Sequence, residues 1–333
     1  MRLILTLAAV LAAFPSMSAA AAVDAETAAA LAFIRRQAEK GEPQAQRLLG
    51  DSYRLGDGVP KDAAEAVRWY RKSAEQGNAG GQCQLGNAYD AGRGVAQDST
   101  EAVKWFRKAA EQGDSEGQAW LGFAYLYGKG LEASTKDAER WIRLSAKQGF
   151  PPAEFQMSLF CGMGMVVERD AAEALRWGLL AAEHGVDDAQ YNVGMSYRNG
   201  NGVKRDPERA VFWLRKAADQ GHGFAKLNLG FMYAQGEGVK EDAHQAFTLF
   251  REAALLGVVE AQANLGVMYA NGYDVAKDHV EACAWFAQAA AQGNEIAAKA
   301  LEELKSGLTS AQQEKLKVRG KELARSIEHS EGK

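Results

Sequence analysis

The chain has 333 residues, and its composition of 47% apolar, 25% charged and 9% aromatic residues is ordinary for a folded soluble protein. The formal net charge is −4 and no run of Lys or Arg forms a basic stripe, so a nucleic-acid partner is not expected. Cys83, Cys161 and Cys283 are too few and too far apart for a disulfide framework, and we expect three small buried thiols.

Residues 1–22 have the organisation of a secretory signal sequence. A short positive start at Met1-Arg2 precedes an apolar core, and small side chains then suit cleavage near Ala20 to Ala22. The apolar core is shorter than the roughly 20 residues needed to cross a bilayer. No later segment is apolar enough to do so. We therefore predict a periplasmic or secreted mature protein without a membrane span.

The rest of the chain repeats every 36 residues. Glycine returns at this interval at Gly41, Gly77, Gly113, Gly149, Gly185, Gly221, Gly257 and Gly293. An alanine column beginning at Ala66 and a tryptophan column beginning at Trp69 keep the same phase. Such repetition is typical of helical repeat arrays. It predicts an N-terminal capping helix at 23–41, seven repeats at 42–293, and a C-terminal capping helix and tail at 294–333.

Each repeat is predicted to contain two helices. The first carries small and large apolar residues at helical spacing, in the first repeat Ala45, Leu49, Gly50 and Tyr53. It ends where Gly56 and Gly58 supply the left-handed backbone conformation that stops a helix. The end of the chain is predicted to add one amphipathic helix, with Leu316, Leu323 and Ile327 on one face.

The second helix of the first repeat is predicted to begin at Asp62, an N-cap residue with Glu65 as its capping partner. The same helix is expected to bury Ala66, Trp69 and Ala74. Alanine and glycine at matched positions let two helix backbones approach closely. We expect the tryptophan to fill the space beside them.

Together these positions resemble the repeat of the Sel-one-like repeat (SLR) family, whose members are relatives of tetratricopeptide repeat proteins. The residues that carry the resemblance in the first repeat are Ala45, Leu49, Gly50, Tyr53, Gly56, Gly58, Val59, Asp62, Ala66, Trp69, Ala74 and Gly77. The resemblance implies an all-α, right-handed superhelical solenoid of about seven 36-residue helix-turn-helix repeats with half-repeat caps. It also implies that the first helices line a concave face.

Variable positions on the predicted first helices supply the candidate partner-binding residues. Repeats 3 to 6 carry aromatic or large apolar side chains there, namely Trp120, Phe123, Tyr127, Phe155, Leu159, Tyr191, Met195 and Phe231. Repeats 1 and 2 carry polar residues such as Asp51 and Asn87 in the same columns. Aromatic anchors beside polar side chains are typical of binding hot spots. The alternative is that these columns pack one repeat against the next, since every solenoid needs such contacts.

Repeat 4 departs from the pattern. Its segment from Phe155 to Val167 is strongly apolar, and Val166 replaces the second loop glycine. An apolar segment on the surface would mark a partner site. The alternative is a bulge packed beneath the neighbouring repeats.

The sequence carries no arrangement typical of an active site. The five histidines form no metal-binding pair, and no nucleophile elbow, Ser-x2-Lys motif or phosphate loop is present. The aspartates that recur from Asp62 lie one repeat apart, so caps explain them better than metal or catalytic carboxylates. We expect no enzymatic activity, no cofactor and no bound metal.

The family resemblance therefore implies a periplasmic scaffold that binds one or more proteins on its concave face and inhibits or regulates them. Candidate roles are immunity against a secreted toxin such as a type VI lipase effector, and regulation of a sensor kinase or a cell-wall enzyme. Two alternatives stay open: an enzyme acting on β-lactams or cell-wall fragments, and a secreted factor that engages host proteins.

Overall fold

The computed structural model describes residues 19–331, with side chains from 27 to 329. The predicted signal sequence lies outside this range except for residues 19–22, which begin the first helix. All regular structure in the described residues is α-helical. The helices are α1 Ala19–Glu39, α2 Pro43–Leu55, α3 Ala63–Glu75, α4 Ala79–Ala91, α5 Ser99–Glu111, α6 Ser115–Tyr127, α7 Thr135–Ala146, α8 Pro151–Met163, α9 Ala171–Glu183, α10 Asp187–Asn199, α11 Pro207–Asp219, α12 Gly223–Gln235, α13 Ala243–Leu255, α14 Val259–Asn271, α15 His279–Ala291, α16 Glu295–Ser306 and α17 Ser310–Glu331.

The chain divides into two compact units, one ending at residue 157 and the other beginning at residue 158. Consecutive helices pack against each other from α1 to α7 in the first unit and from α9 to α16 in the second. Each repeat contributes one even-numbered first helix and one odd-numbered second helix. Packing of each repeat on the repeats next to it in sequence is the property that defines stacked repeats. The predicted all-α repeat architecture is therefore confirmed.

Aspartate side chains cap the second helices, as predicted. Asp62 Oδ1 accepts hydrogen bonds of 3.0 Å from the backbone N–H groups of Ala64 and Glu65. Equivalent caps are made by Asp98, Asp170, Asp206, Asp242 and Asp278. The partner role predicted for Glu65 is wrong. The Asp62 N–H donates instead to the Tyr53 carbonyl at 2.9 Å, and the Glu65 carboxylate pairs with Arg68.

The two helices of a repeat approach each other at a glycine. A Cβ atom on Gly86 would lie 2.6 Å from the Phe106 ring, so only glycine fits. The same contact recurs as Gly50–Tyr70, Gly122–Ile142, Gly194–Leu214, Gly230–Phe250 and Gly266–Phe286. The prediction that tryptophan fills this space is wrong for the first repeat. Tyr70 is only 2% exposed, whereas Trp69 is half-buried, because successive helical residues point about 100° apart.

A ladder of buried glutamines joins successive repeats. Gln82 Nε2 donates to the Ala74 carbonyl at 3.2 Å, in the last turn of the preceding second helix. Gln112 Nε2 in turn donates to Gln82 Oε1 at 2.7 Å. The pairs Gln46–Gln76, Gln118–Gln148, Gln190–Gln220 and Gln262–Gln292 repeat this bond. The glutamine adds a second hydrogen bond to a helix-end carbonyl that already accepts one from the following glycine, as Ala74 does from the Gly77 N–H at 3.0 Å.

The final helix α17 covers the last repeats of the second unit. It packs on α13 and α15 through Leu323 and Ile327, which are buried, and Leu316, which is partly buried. Arg319 adds an ion pair to Glu281 at 2.6 Å. The amphipathic helix predicted here is confirmed. Within the described residues, no helix is both long enough and apolar enough to cross a bilayer.

The close approach at Gly86 gives a testable prediction. The variant Gly86→Ala should lower the free energy of unfolding by about 1–3 kcal/mol, because the new methyl group overlaps the Phe106 ring. Gly320→Ala is the matched control, since a Cβ at this helical position meets nothing within 4 Å. It should be neutral or stabilising by up to about 1 kcal/mol. Urea unfolding followed by circular dichroism measures the free energy of unfolding of both variants. An equal change in both would contradict the close packing of a first-helix glycine against a large second-helix side chain, which we call the glycine interlock.

Candidate partner-binding surface

In the first unit, an open cleft of ≈ 860 Å³ lies between α2, α3, α4 and α6. We call it the first-unit cleft. Its walls include Arg54, Leu55, Tyr70, Arg93 and Trp120. The cleft combines apolar, aromatic and charged groups of both signs. This mixture suits a polypeptide better than a uniform small molecule.

Glu116 organises the polar wall of the first-unit cleft. Its carboxylate accepts hydrogen bonds from Gln84 Nε2 at 3.3 Å, Asn87 Nδ2 at 3.0 Å and Trp120 Nε1 at 3.2 Å. Three neutral donors therefore hold one anionic group in the cleft. The Trp120 ring also packs edge-on against Phe123, with ring centroids 5.7 Å apart. The indole is fixed in orientation before any partner binds.

Tyr70 links this cleft to the packing of the first repeat. Its hydroxyl donates to Asp51 Oδ1 at 2.8 Å and accepts from Arg54 Nε at 3.2 Å. Burial and the neighbouring Asp51 carboxylate raise the pKa of Tyr70 well above its ordinary value. The phenol therefore stays protonated and remains a hydrogen-bond donor. Arg47 completes the group with an ion pair to Asp51 at 2.6 Å.

The four candidates in the first unit differ in exposure. Trp120 and Phe123 are half-buried, as is Phe155. Tyr127 is 71% exposed. Trp120 packs between repeats, with its ring centroid 6.3 Å from that of Phe106 in the preceding repeat, and it also keeps a part of its surface exposed. Partner binding by these residues stays a prediction.

In the second unit, aromatic candidates stack on their neighbours. Tyr191 lies on the His222 ring with centroids 4.7 Å apart, and burial raises the pKa of its phenol. Phe231 packs edge-on against Phe250, with centroids 5.0 Å apart, and joins the core around it. Leu159 and Met195 line a separate cavity of ≈ 240 Å³. The structure thus spreads the second-unit candidates over several local environments.

The apolar segment of repeat 4 contains no helical bulge. Helix α8 is 13 residues long, like the other first helices of the repeats, and it is followed by Gly164 with a positive φ of 68°. Met163, the last residue of the helix, is 58% exposed, and Met165 beyond it is 70% exposed. The predicted bulge is therefore absent, because the helix keeps its length, but Met157, Phe160 and Cys161 of this segment are buried.

Several residues of this surface were missed in the sequence. Glu116 and Gln84 are joined across repeats, and Arg198 bridges Asn228 at 3.0 Å and Glu237 at 3.0 Å in the second unit. A column one position beyond Cys83 contains Gln84, Trp120 and Asn228 at multiples of 36 residues. That column was the available signal, although only Trp120 stood out by residue type.

Reactive groups do not gather at this surface. The described residues hold no group of three or more His, Cys, Asp or Glu side chains placed to bind a metal ion. The thiols of Cys83, Cys161 and Cys283 are buried. Burial raises the pKa of the Cys83 thiol far above its usual range, which keeps it protonated and unreactive.

Comparison with known proteins identifies the family of the repeats. The Sel1 repeat model matches seven consecutive segments, residues 43–78, 79–114, 115–150, 151–186, 187–222, 223–258 and 259–294. A solved Sel1 repeat protein from Oxalobacter formigenes is 36% identical, with a TM-score of 0.63 over 82% of this chain and 79% of that chain. No curated protein matches the chain significantly.

Two other solved structures are less similar. A protective antigen with an SLR fold from uropathogenic Escherichia coli is 29% identical, with a TM-score of 0.46 over 92% of this chain and 81% of that chain. The immunity protein Pa5087 from Pseudomonas aeruginosa is 18% identical, with a TM-score of 0.42 over 64% of this chain and 81% of that chain. That similarity is too low to transfer a role.

Exposure separates binding residues from packing residues in a testable way. Tyr127→Ser should change the free energy of unfolding by less than about 0.5 kcal/mol, because the side chain is 71% exposed. Phe231→Ser should cost about 2 kcal/mol or more, because it removes the contact with Phe250. Chemical denaturation measures both variants. Equal losses would show that Tyr127 also belongs to the packing between repeats.

Proposed function

Because the chain belongs to the Sel1 repeat family, we propose that it is a protein-binding scaffold whose first-helix side chains capture a partner protein and inhibit or regulate it. The first-unit cleft carries this proposal. An open cleft of ≈ 860 Å³ has its tryptophan and carboxylate already fixed by hydrogen bonds. A surface ordered in advance avoids part of the entropic cost of binding.

The composition of the cleft favours a polypeptide partner. Trp120 supplies an aromatic anchor, and Leu55 adds an exposed apolar side chain at 61%. Arg93 and Lys61 at the rim contribute positive charge, whereas Glu116 contributes negative charge inside. Aromatic anchors surrounded by charged and polar groups are the usual basis of specific protein recognition.

The proposed site of action is the periplasm. The support is the predicted signal sequence at residues 1–22, with its apolar core and small residues near Ala20 and Ala22. In that compartment a secreted toxin, a sensor kinase and a cell-wall enzyme are the partners to be distinguished. The repeat scaffold would be compatible with each of these three classes of partner.

A capture experiment tests the binding function. The mature protein, immobilised, should retain a periplasmic protein that then forms a stoichiometric complex when both are purified. Leu55→Ser combined with Arg93→Ser should weaken this complex at least about tenfold, because both exposed side chains line the cleft. Phe212→Ser is the matched control, since Phe212 is 52% exposed but lies on a second helix.

Two results would contradict the proposal. The first is no stoichiometric complex with any protein of the source organism. The second is turnover of nitrocefin or cell-wall fragments by pure protein, which would favour the enzyme alternative. Equal binding by the double variant and the control would instead place the partner outside the first-unit cleft.

Localisation has a separate test. The full chain should appear in the periplasmic fraction with its first 20 or 22 residues removed, as measured by intact mass. Leu7→Arg should leave the precursor uncleaved in the cytoplasm, because a charge interrupts the apolar core. A wild-type protein that keeps Met1 and stays in the cytoplasm would overturn the periplasmic assignment.

A further inference from the structure

Repeat 4 exchanges the two partners of the glycine interlock. In the other six repeats a first-helix glycine faces an aliphatic or aromatic residue of the second helix, as Gly194 faces Leu214. Repeat 4 has Ser158 at the glycine position and Gly178 at the position of the large residue. The small residue thus stands where each of the other repeats places a large buried side chain.

The exchange leaves space that the chain does not fill. A cavity of ≈ 240 Å³, which we call the repeat-4 cavity, is lined by residues of α8, α9 and α10. Ser158 Oγ fills only the part nearest Gly178, 3.0 Å from where a Cβ would stand. Gly162 adds to the space, since repeats 3 and 5 carry Leu126 and Arg198 at this position.

The lining indicates what the cavity accepts. None of its residues is charged, so a charged group would lose hydration without compensation. Leu159, Leu175 and Val193 supply apolar walls, and Met163 and Met195 supply flexible side chains that adapt to shape. A cavity of about 150 Å³ already holds benzene in a known protein core. A phenyl, isobutyl or thioether side chain therefore fits.

Polar groups at the cavity favour a polypeptide occupant over a free hydrocarbon. Ser158 and Ser196 direct their hydroxyls to the Ala174 and Asn192 carbonyls, both at 2.8 Å, and so are already satisfied. Asn192 and Asn201 also line the cavity. An asparagine side chain can both donate a hydrogen bond to a peptide backbone and accept one from it.

We propose that the repeat-4 cavity is an anchor site that receives one aliphatic or aromatic side chain of the bound partner. The intruding side chain takes the place that Tyr70, Phe106 and Leu214 occupy in their own repeats. This inference rests on the proposed protein-binding function and locates one specific contact of it.

Methionine methyl NMR tests the cavity directly. With N-acetyl-phenylalaninamide as the probe, the ¹³C-methyl signals of Met163 and Met195 should shift in a saturable way, because both side chains line the cavity. The Met232 signal, from a buried residue of another repeat, should stay in place. N-acetyl-glutamate amide should cause no shift at the same concentration.

The matched variant builds into repeat 4 the glycine–leucine contact that repeat 5 makes between Gly194 and Leu214. Ser158→Gly with Gly178→Leu should abolish the saturable shift, and the filled cavity should raise Tm by about 2–4 °C. If that variant does not fold, Gly162→Leu replaces it, because a Cβ there meets only Ala174 Cβ at 3.6 Å. An unchanged probe shift in the folded filled variant would overturn the proposal. So would the absence of any saturable shift in the wild-type protein.

The experiments distinguish a failure of the anchor site from a failure of the proposed scaffold function. Partner capture that persists at full strength in the filled variant would refute the anchor site while leaving the scaffold function intact. Probe binding without any partner complex would refute the scaffold function and leave only a cavity. Loss of both probe shift and partner binding in the filled variant is the expected result.

Discussion

The close approach of two helices at a glycine is the constraint on which the rest of this structure depends. Where a Cβ atom would lie 2.6 Å from the Phe106 ring, no larger residue than Gly86 fits. The ring therefore fixes the distance between the helices and the rotation of each about its axis. Aspartate caps then fix where each second helix begins, and a buried glutamine joins each repeat to the one before, as Gln82 does through the Ala74 carbonyl. The contacts that stabilise the fold therefore come from the positions that recur in each repeat.

Because the repeated positions carry the packing, the remaining first-helix positions are free to differ. In the first unit they form a cleft with one carboxylate, Glu116, held by three donors beside an anchored tryptophan. In the second unit the corresponding positions hold Tyr191 stacked on His222 and Phe231 packed on Phe250. One scaffold thus supports a cleft of mixed polar and aromatic groups in one unit and stacked aromatic side chains in the other.

Among the described repeats, repeat 4 is the one in which no large side chain of the second helix packs against a first-helix glycine. With Ser158 and Gly178 the interlock loses its large member, yet α8 keeps its length and its following glycine turn. Asp170 still caps α9, and α9 still packs on α10, while a cavity of ≈ 240 Å³ remains. The cavity opens at the surface, where Met163 is 58% exposed, so a side chain from outside the protein can enter it.

The sequence alone determined the period, the all-α class, the aspartate caps and the final amphipathic helix, because each depends on residues close together in the chain. Tertiary structure decided that Tyr70 and not Trp69 fills the interlock, and that Asp62 donates to the Tyr53 carbonyl. It also decided that Gln82 pairs with Gln112 and that Glu116 gathers Gln84, Asn87 and Trp120. These contacts join different helices, and they depend on how far each helix is rotated toward its neighbour. A spacing of 36 residues marks equivalent positions, but only packed helices show which equivalent side chains touch.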